Sequence, residues 1–272
     1  MKTIKEYVAI RKAEIKAEVD KLENKLKLVI IQVGNNDASS VYIRGKLKDC
    51  EEVGIIGELI HLSEETTEVE LLELIKKLNN DDTVNGFIVQ LPLPKTIKEE
   101  AIINAISPEK DVDGFSKLAL VDPGTPRGMI DFLESENFDF KNKNAVVLGR
   151  SNIVGRPMAR LLLDRSCNIT VLHSKTSEEN KRLYLKNADL IITATGHLGL
   201  IDHTYELKPT AIILDVGMNR DSNNKLIGDC ERDLPVAFQS PVPGSIGLST
   251  RLSLIVNLLQ LYKIKHKNIL LN

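Results

Sequence analysis

Strand-length apolar runs alternate with segments of helical spacing along the chain. In the first half, three runs rich in β-branched residues are each followed by turn residues, which predicts strands over residues 26–33, 55–62 and 86–90. Charge spacing predicts a first helix over residues 2–23. A second helix is predicted to begin at a Ser39 or Ser40 cap and to stop at Gly54, and a third to run from the Thr67-x-x-Glu70 capping box to Leu78.

The same alternation restarts in the second half. Residues 122–128 contain Pro123, Gly124 and Pro126, and we interpret them as an interdomain hinge. Beyond them the pattern predicts strands over residues 144–148, 168–173, 190–195 and 211–216, helices over 153–163 and up to about 186, and a long amphipathic helix from about Ser249. Such alternation implies right-handed crossovers and mostly parallel sheets. We therefore predict an α/β protein of two domains around a cleft, residues 1–121 completed by the last helix (249–272), and residues 122–248.

Composition narrows the class of protein. The 272 residues are enough for two domains, and the net charge of −2 argues against a broad nucleic-acid-binding surface. The longest apolar runs fall well short of the roughly 20 residues of a membrane span, and the N-terminus shows no apolar signal core. Three separated cysteines and five scattered histidines indicate reduced thiols rather than disulfides or a metal site. We expect a cytosolic protein without bound metal.

A glycine turn in the second half joins a predicted strand directly to a predicted helix. In the sequence from Gly149 to Gly155, free amides at the helix N-terminus would face a dinucleotide pyrophosphate. Ser151 stands where the usual motif has its second glycine, so a purely structural turn remains an alternative. The next strand ends in His173-Ser-Lys-Thr176 without the carboxylate that holds a ribose 2′-hydroxyl. With Arg150 in the turn, this favours NADP over NAD, although residues 173–176 could also be only a polar strand exit.

Candidate catalytic residues are found in the first half. Tyr42 and Lys46 are four residues apart and share a helix face, and Gln90 ends an apolar strand at the edge where parallel sheets bind ligands. Asp111 and Asp113 lie in a glycine-bearing loop. Taken singly, Lys46 could be a solvated lysine and the loop an ordinary turn. Together they would supply an aromatic face, an amine, an amide and a carboxylate.

Seven ordered segments carry a resemblance that covers nearly the whole chain. They are residues 40–48 (SVYIRGKLK), 89–94 (VQLPLP), 110–115 (KDVDGF), 125–128 (TPRG), 149–158 (GRSNIVGRPM), 215–219 (DVGMN) and 241–244 (PVPG). In these segments the chain resembles the methylenetetrahydrofolate dehydrogenase/cyclohydrolase family. The resemblance implies NADP-dependent oxidation of 5,10-methylenetetrahydrofolate, followed by hydrolysis of the methenyl product to 10-formyltetrahydrofolate.

The resemblance also implies roles for single residues. Tyr42 would stack on the folate rings, Lys46 would be the acid/base residue, Gln90 would position it, and Asp113 would accept hydrogen bonds from the pterin. Further residues are implied on the substrate side (Pro243, Gly244) and at the cofactor of a Rossmann-type domain (Gly149, Arg150, Ser151, Ser174, Met218). The last helix would return to the first domain, and members of the family are usually homodimers.

The chain departs from the family pattern in two places. The segment of residues 116–124 is several residues short and ends in Gly124 where a cysteine is usual, and Pro243–Thr250 reads PGSIGLST instead of PGGVGPMT. We expect Ser245, Leu248 and Ser249 to take up room in the cleft and the short segment to leave the folate side open. A non-catalytic folate- or NADP-binding relative and a dehydrogenase of the shikimate dehydrogenase type remain as alternatives.

Overall fold

The structure, a computed structural model, describes residues 1–269. The described residues form two compact units, a first unit from residues 10–124 and 251–269, and a second from residues 1–9 and 125–250. Each unit contains its own parallel sheet, so the predicted α/β class is confirmed. Residues 270–272 of the predicted last helix lie outside the described residues. None of the described helices is long and apolar enough to cross a membrane.

The unit built on residues 10–124 holds a three-stranded parallel sheet. Its elements are α1 (Ile4–Val19, which begins in the other unit), β1 (Lys27–Val33), α2 (Asp37–Glu52), β2 (Ile56–Leu62), α3 (Glu68–Asn79), β3 (Gly86–Val89) and α4 (Glu99–Ala105). The strand order is β2-β1-β3, with β1 in register against both neighbours. β1 and β3 are almost wholly buried, as their continuous apolar sequences predict, whereas β2 at the edge is partly exposed.

Local capping decides where the helices of this unit begin and end. The prediction that Ser39 or Ser40 caps α2 is wrong, because Asn36 is the cap and its side chain accepts the amide of Ser39. Gly54 follows the end of α2 with φ +83°, as its predicted stop role requires. The capping box at Thr67 is confirmed, with both reciprocal hydrogen bonds present. The short helix α4 was not predicted.

The other unit holds a five-stranded parallel sheet. Its elements are α5 (Gly124–Ser135, with Gly124 itself in the first unit), β4 (Asn144–Leu148), α6 (Gly155–Asp164), β5 (Asn168–Leu172), α7 (Glu178–Lys186), β6 (Leu190–Thr193), β7 (Ile212–Asp215), the hairpin strands β8 (Asn219–Arg220) and β9 (Leu226–Ile227), and β10 (Phe238–Gln239). The strand order β10-β7-β6-β4-β5 is a doubly wound arrangement whose strand order reverses between β4 and β6. This agrees with the predicted Rossmann-type domain.

Two predicted segments can be compared with the structure. The boundary between the two units falls between Gly124 and Thr125, inside the predicted hinge of residues 122–128. Residues 124–128 are helical, because α5 begins at Gly124 and Pro126 lies in its first turn, where a missing amide costs no helical hydrogen bond. The last helix, α8 (Ile246–Ile269), begins three residues before the predicted Ser249. From Arg251 onward α8 packs within the first unit, where Asn257 donates hydrogen bonds to the carbonyls of Val112 (2.8 Å) and Asp122 (3.0 Å).

Candidate active site

The first cluster of polar side chains lies where the strand order of the small sheet reverses, between β1 and β3. Gln90 follows β3 directly, and its backbone amide donates to the carbonyl of Ile31 at 2.8 Å. Its side-chain amide donates to the carbonyl of Leu91 at 2.8 Å, which leaves the side-chain oxygen Oε1 directed away as an acceptor. Gln90 is therefore fixed at the sheet edge that binds ligands in parallel α/β folds.

Lys46 reaches this oxygen from α2. Its Nζ donates to Gln90 Oε1 at 3.0 Å and lies 5.5 Å from the centre of the Tyr42 ring, one turn earlier on the same helix. Only 7% of Lys46 is exposed. The alternative of a solvated surface lysine is therefore wrong, and the structure brings Tyr42, Lys46 and Gln90 together as the sequence predicted.

The two carboxylates of the loop after α4 have different roles. Asp111 is buried and accepts the amides of Gly114 (2.9 Å) and Ser116 (2.8 Å), so it has the turn-forming role. Gly114 has φ +68°, and a side chain there would meet the carbonyl of Val121. Asp113 is half-buried, and no hydrogen bond reaches its carboxylate from within residues 1–269. Asp113 is thus left available for a ligand.

Burial and mutual attraction set the charges of this cluster. Burial lowers the pKa of Lys46 from its ordinary range, although the neighbouring Asp113 opposes this change. Burial also raises the pKa of Asp113 to about 6, against the attraction of Lys46. An amine whose pKa is depressed can be neutral at moderate pH, as proton transfer to or from a substrate requires.

A charged cluster beside Lys46 was not among the sequence predictions. Arg251, the first residue of α8 in this unit, places Nε 2.7 Å from Oδ2 of the buried Asp49, and Lys12 of α1 places Nζ 2.5 Å from the other oxygen. The only sequence signal was Gly45, a glycine in a helix interior, where it lowers helix stability.

The predicted cofactor turn follows β4, where the order of the large sheet reverses. Gly149 has φ +116°, and a Cβ there would lie 2.5 Å from the carbonyl oxygen of Ala194. A Cβ on Gly155 would overlap the Gly149 carbonyl, so both glycines are required for the close approach of strand and helix. Ser151 accepts the amides of Val154 (3.2 Å) and Gly155 (3.3 Å), so its hydroxyl supports the turn itself.

The other predicted cofactor residues are exposed. Arg150 and Ser174 lie at the surface, and Met218 is 66% exposed. Residues 173–176 form a turn in which Thr176 accepts the amide of His173, and no carboxylate stands at this strand end. Within residues 1–269, no hydrogen bond joins Ser174 or Met218 to the Gly149 turn.

Two buried carboxylates, which the sequence did not reveal as a network, hold the loops after β6 and β7. Asp215 accepts the hydroxyl of Thr193 and backbone amides including that of Gly217 (2.9 Å). Asp229 accepts the amide and hydroxyl of Thr195 (2.8 and 2.9 Å). This network fixes the loop that carries Met218 through hydrogen bonds from hydroxyls and backbone amides.

The residues around the start of α8 are of two kinds, exposed residues of the loop and buried serines. Pro243 and Gly244 are exposed, and Gly244 has φ +102° with open space where a Cβ would stand. Ser245 and Ser249 are buried, and their hydroxyls donate to the carbonyls of Pro241 and Ile246. These two side chains therefore turn back onto the backbone of their own segment.

The chemistry of the site is that of organic acids, bases and amides. Among residues 1–269 no group of three or more His, Cys, Asp or Glu side chains is arranged to hold a metal ion. The three cysteines are free and buried. The Gly149 turn, with a helix N-terminus behind it and two glycines that admit close approach, fits the phosphates of a dinucleotide.

Comparisons with known proteins agree with this geometry. Two family models match, tetrahydrofolate dehydrogenase/cyclohydrolase, catalytic domain, over residues 3–113, and the NAD(P)-binding domain of the same family over residues 123–266. The bifunctional protein FolD of Agathobacter rectalis is 46% identical over 267 residues, covering 93% of this chain and 95% of that protein.

Two solved structures are similar over nearly their whole length. The bifunctional enzyme FolD, methylenetetrahydrofolate dehydrogenase/cyclohydrolase, of Campylobacter jejuni has a TM-score of 0.92 at 38% identity and covers 97% of this chain and 98% of that one. The methylenetetrahydrofolate dehydrogenase-cyclohydrolase of Trypanosoma brucei, complexed with NADP and an inhibitor, has a TM-score of 0.91 at 27% identity, with 97% of each chain covered.

Proposed function

Because the chain belongs to the tetrahydrofolate dehydrogenase/cyclohydrolase family, it is a bifunctional NADP-dependent enzyme, and we propose that Tyr42, Lys46, Gln90 and Asp113 carry its folate chemistry. The enzyme oxidises 5,10-methylenetetrahydrofolate to the methenyl form and hydrolyses that to 10-formyltetrahydrofolate. The observation that carries the site assignment is the 3.0 Å hydrogen bond from the buried Lys46 amine to Gln90. It holds a neutralisable amine at the ligand-binding edge of the sheet.

Lys46 is the acid/base residue of the hydrolysis in this proposal. Water attacks the methenyl carbon, and the neutral amine accepts one of its protons. The resulting ammonium donates that proton to the ring nitrogen as the bond between this nitrogen and the carbon breaks. The hydroxyl of the adduct releases its remaining proton to solvent and becomes the carbonyl of the formyl group, which stays on the other nitrogen. Gln90 fixes the amine of Lys46 in place. The low exposure of Lys46 limits the access of other water molecules to the amine.

Asp113 and Tyr42 hold the substrate in this proposal. The free carboxylate of Asp113 accepts two hydrogen bonds from the pterin, a geometry that Asp111 cannot offer because its oxygens are occupied by Gly114 and Ser116. Tyr42 is half-buried beside the Lys46 amine and offers its ring face for stacking. We also assign Pro243 and Gly244 to the substrate side, where the open space beside Gly244 admits a ligand.

We assign the cofactor to the Gly149 turn, with Arg150, Ser151, Ser174 and Met218 around it. NADP, when bound, supplies the hydride acceptor. The backbone amides behind Gly149 bind the pyrophosphate, and Ser151 stabilises the turn that presents them. Arg150 in the turn after β4 and Ser174 after β5 are both exposed, and residues 173–176 at the end of β5 contain no carboxylate, which suits a 2′-phosphate.

We further assign the catalytic domain to residues 1–121 with 249–272, and the cofactor domain to residues 122–248. A homodimer joined through the cofactor domains is supported by β5, an edge strand with the exposed Val171. Three buried free thiols suit a reducing, cytosolic compartment.

One assay tests the function. The parent protein is mixed with methylenetetrahydrofolate and either NADP or NAD, and absorbance of the reduced cofactor and of the methenyl product is followed separately. We expect turnover with NADP at the higher kcat/KM and independent hydrolysis of added methenyltetrahydrofolate. Tight ligand binding without any turnover would instead identify a non-catalytic relative.

A further inference from the structure

A glycine inside α2 makes room for a charged side chain from α8. A glycine in a helix interior lowers the stability of the helix by about 1 kcal/mol relative to alanine, so Gly45 needs a structural reason. A Cβ built on Gly45 would overlap Nη1 of Arg251 and would lie 2.9 Å from its Cζ. The guanidinium therefore lies against the backbone of α2, at the residue directly before Lys46.

The buried Asp49 holds this guanidinium in place. Arg251 Nε and Asp49 Oδ2 are 2.7 Å apart but do not form a well-directed hydrogen bond, so attraction between the charges holds them. Lys12 takes the other carboxylate oxygen at 2.5 Å. Asp49 follows Lys46 by three residues on the same helix, a spacing at which a carboxylate and an ammonium form an ion pair. Arg251 and Lys12 together occupy the two carboxylate oxygens of Asp49.

The aromatic, titratable and charged groups around Lys46 belong to three elements. α2 contributes the Tyr42 ring and Cys50, whose pKa burial raises to about 12, so that its thiol is neutral. The loop after α4 contributes Asp113, which favours the protonated amine, and α8 contributes Arg251, which disfavours it. Arg251 therefore opposes Asp113 at the Lys46 amine.

We propose that Arg251 is a positioning residue for Lys46: lying on Gly45 and paired with Asp49, it keeps that carboxylate from pairing with the Lys46 amine and disfavours the protonated form of the amine. This inference rests on the proposed acid/base role of Lys46 in hydrolysis. It also explains why a glycine stands inside α2, since alanine there would displace the guanidinium.

The pH profile of methenyl hydrolysis tests the proposal. In the parent, activity rises with pH as Lys46 loses its proton. Arg251→Met removes the cation and releases Asp49, so we expect the acid limb of kcat to move up by about one pH unit, with about tenfold lower activity below it. Arg251→Lys keeps the charge and should restore most of the parent profile. An unmoved limb in Arg251→Met, even with a lower melting temperature, would assign Arg251 a structural role only and overturn the proposal.

Two further variants separate this effect from misfolding. Gly45→Ala improves the helix propensity of α2 but displaces the flexible guanidinium, so the acid limb should move in the same direction while the protein stays folded. Lys263→Met is the matched control, because it removes an exposed cation of α8 that pairs with Glu18. Its profile should equal that of the parent, and a shift there would contradict a local effect at Lys46.

Failure of the underlying function has a different signature. If Lys46→Met hydrolyses methenyltetrahydrofolate at the parent rate, the assignment of Lys46 is wrong. If Lys46→Met is inactive while both Arg251→Met and Gly45→Ala keep the parent profile, only the role of Arg251 is wrong.

Discussion

Replacing Asp113 by asparagine should stabilise the fold and weaken the enzyme at the same time. Burial raises the pKa of this carboxyl from 3.8 to about 6, so the folded state binds its proton more tightly than the unfolded state does. The free energy of unfolding of the parent therefore falls as the pH rises from about 4 to about 6, and it stays lower above that range. Asparagine does not titrate, so the free energy of unfolding of Asp113→Asn does not fall for this reason as the pH rises.

The magnitude follows from the size of the shift. About two pKa units correspond to about 3 kcal/mol. Because Asp113 is half-buried, solvent screening reduces this upper limit, and we expect Asp113→Asn to gain about 1–2 kcal/mol at pH 7.5 relative to pH 4.5. For a chain of this size that is a rise in melting temperature of about 2–8 °C. The KM for folate should rise, because one pterin donor then faces an amide N–H, while NADP affinity stays the same.

Asp111→Asn is the matched control in the same loop. Asp111 accepts two backbone amides with its two oxygens, so an asparagine there must turn an N–H toward one of them and should destabilise the protein at every pH. Melting curves of the three proteins between pH 4.5 and pH 8, together with folate and NADP titrations, decide the matter. A stability difference between parent and Asp113→Asn that does not change with pH would refute the reasoning.

The other predictions concern the catalytic amine, the cofactor and the start of α8. Lys46→Met should slow methenyl hydrolysis on the order of 10²-fold or more, followed as loss of methenyl absorbance; hydrolysis at the parent rate would remove Lys46 from the chemistry. Arg150→Ala should narrow the kcat/KM preference for NADP over NAD by about tenfold, since a charge-assisted contact contributes about 1.5–3 kcal/mol; an unchanged ratio would show that the 2′-phosphate is bound elsewhere. Ser249→Met should lower the melting temperature, because Ser249 is fully buried and overpacking costs about 1–3 kcal/mol; a melting temperature equal to that of the parent would mean that unfilled space lies beside it.

Periodicity predicted the elements that are long and strongly patterned, and failed where local signals compete. The mostly apolar, strand-length sequences of β1 and β4 predict buried strands, as the structure has them. At the start of α2, by contrast, Asn36 and Ser39 are both good caps, and which one acts depends on where the chain leaves β1. Pro126 reads as a helix breaker in sequence, yet it is tolerated because the first turn of α5 needs no amide there.

The sequence could predict only those residues of the candidate site whose positions follow from the topology of the sheet. Gln90 follows the buried strand β3, and Lys46 lies on α2, the crossover helix that follows the neighbouring strand β1, so a parallel sheet brings them to one edge. The sequence could not tell which of Asp111 and Asp113 forms the turn, because that depends on the positive φ of Gly114. It gave no reason to join Arg251 to Lys46, since the contact is made by a helix about 200 residues later in the chain.

The two sheets use the same topological position for different kinds of recognition. In each sheet a glycine with positive φ follows the first strand at the point where the order reverses, Gly34 after β1 and Gly149 after β4. A Cβ on Gly34 would lie 3.3 Å from the Cβ of Glu64, whereas one on Gly149 would lie 2.5 Å from the carbonyl oxygen of Ala194. The turn of the first edge is therefore less crowded, and the polar groups of that edge are side chains, the Lys46 amine above all. The second edge tolerates no side chain at its turn, because there the backbone itself must approach the ligand.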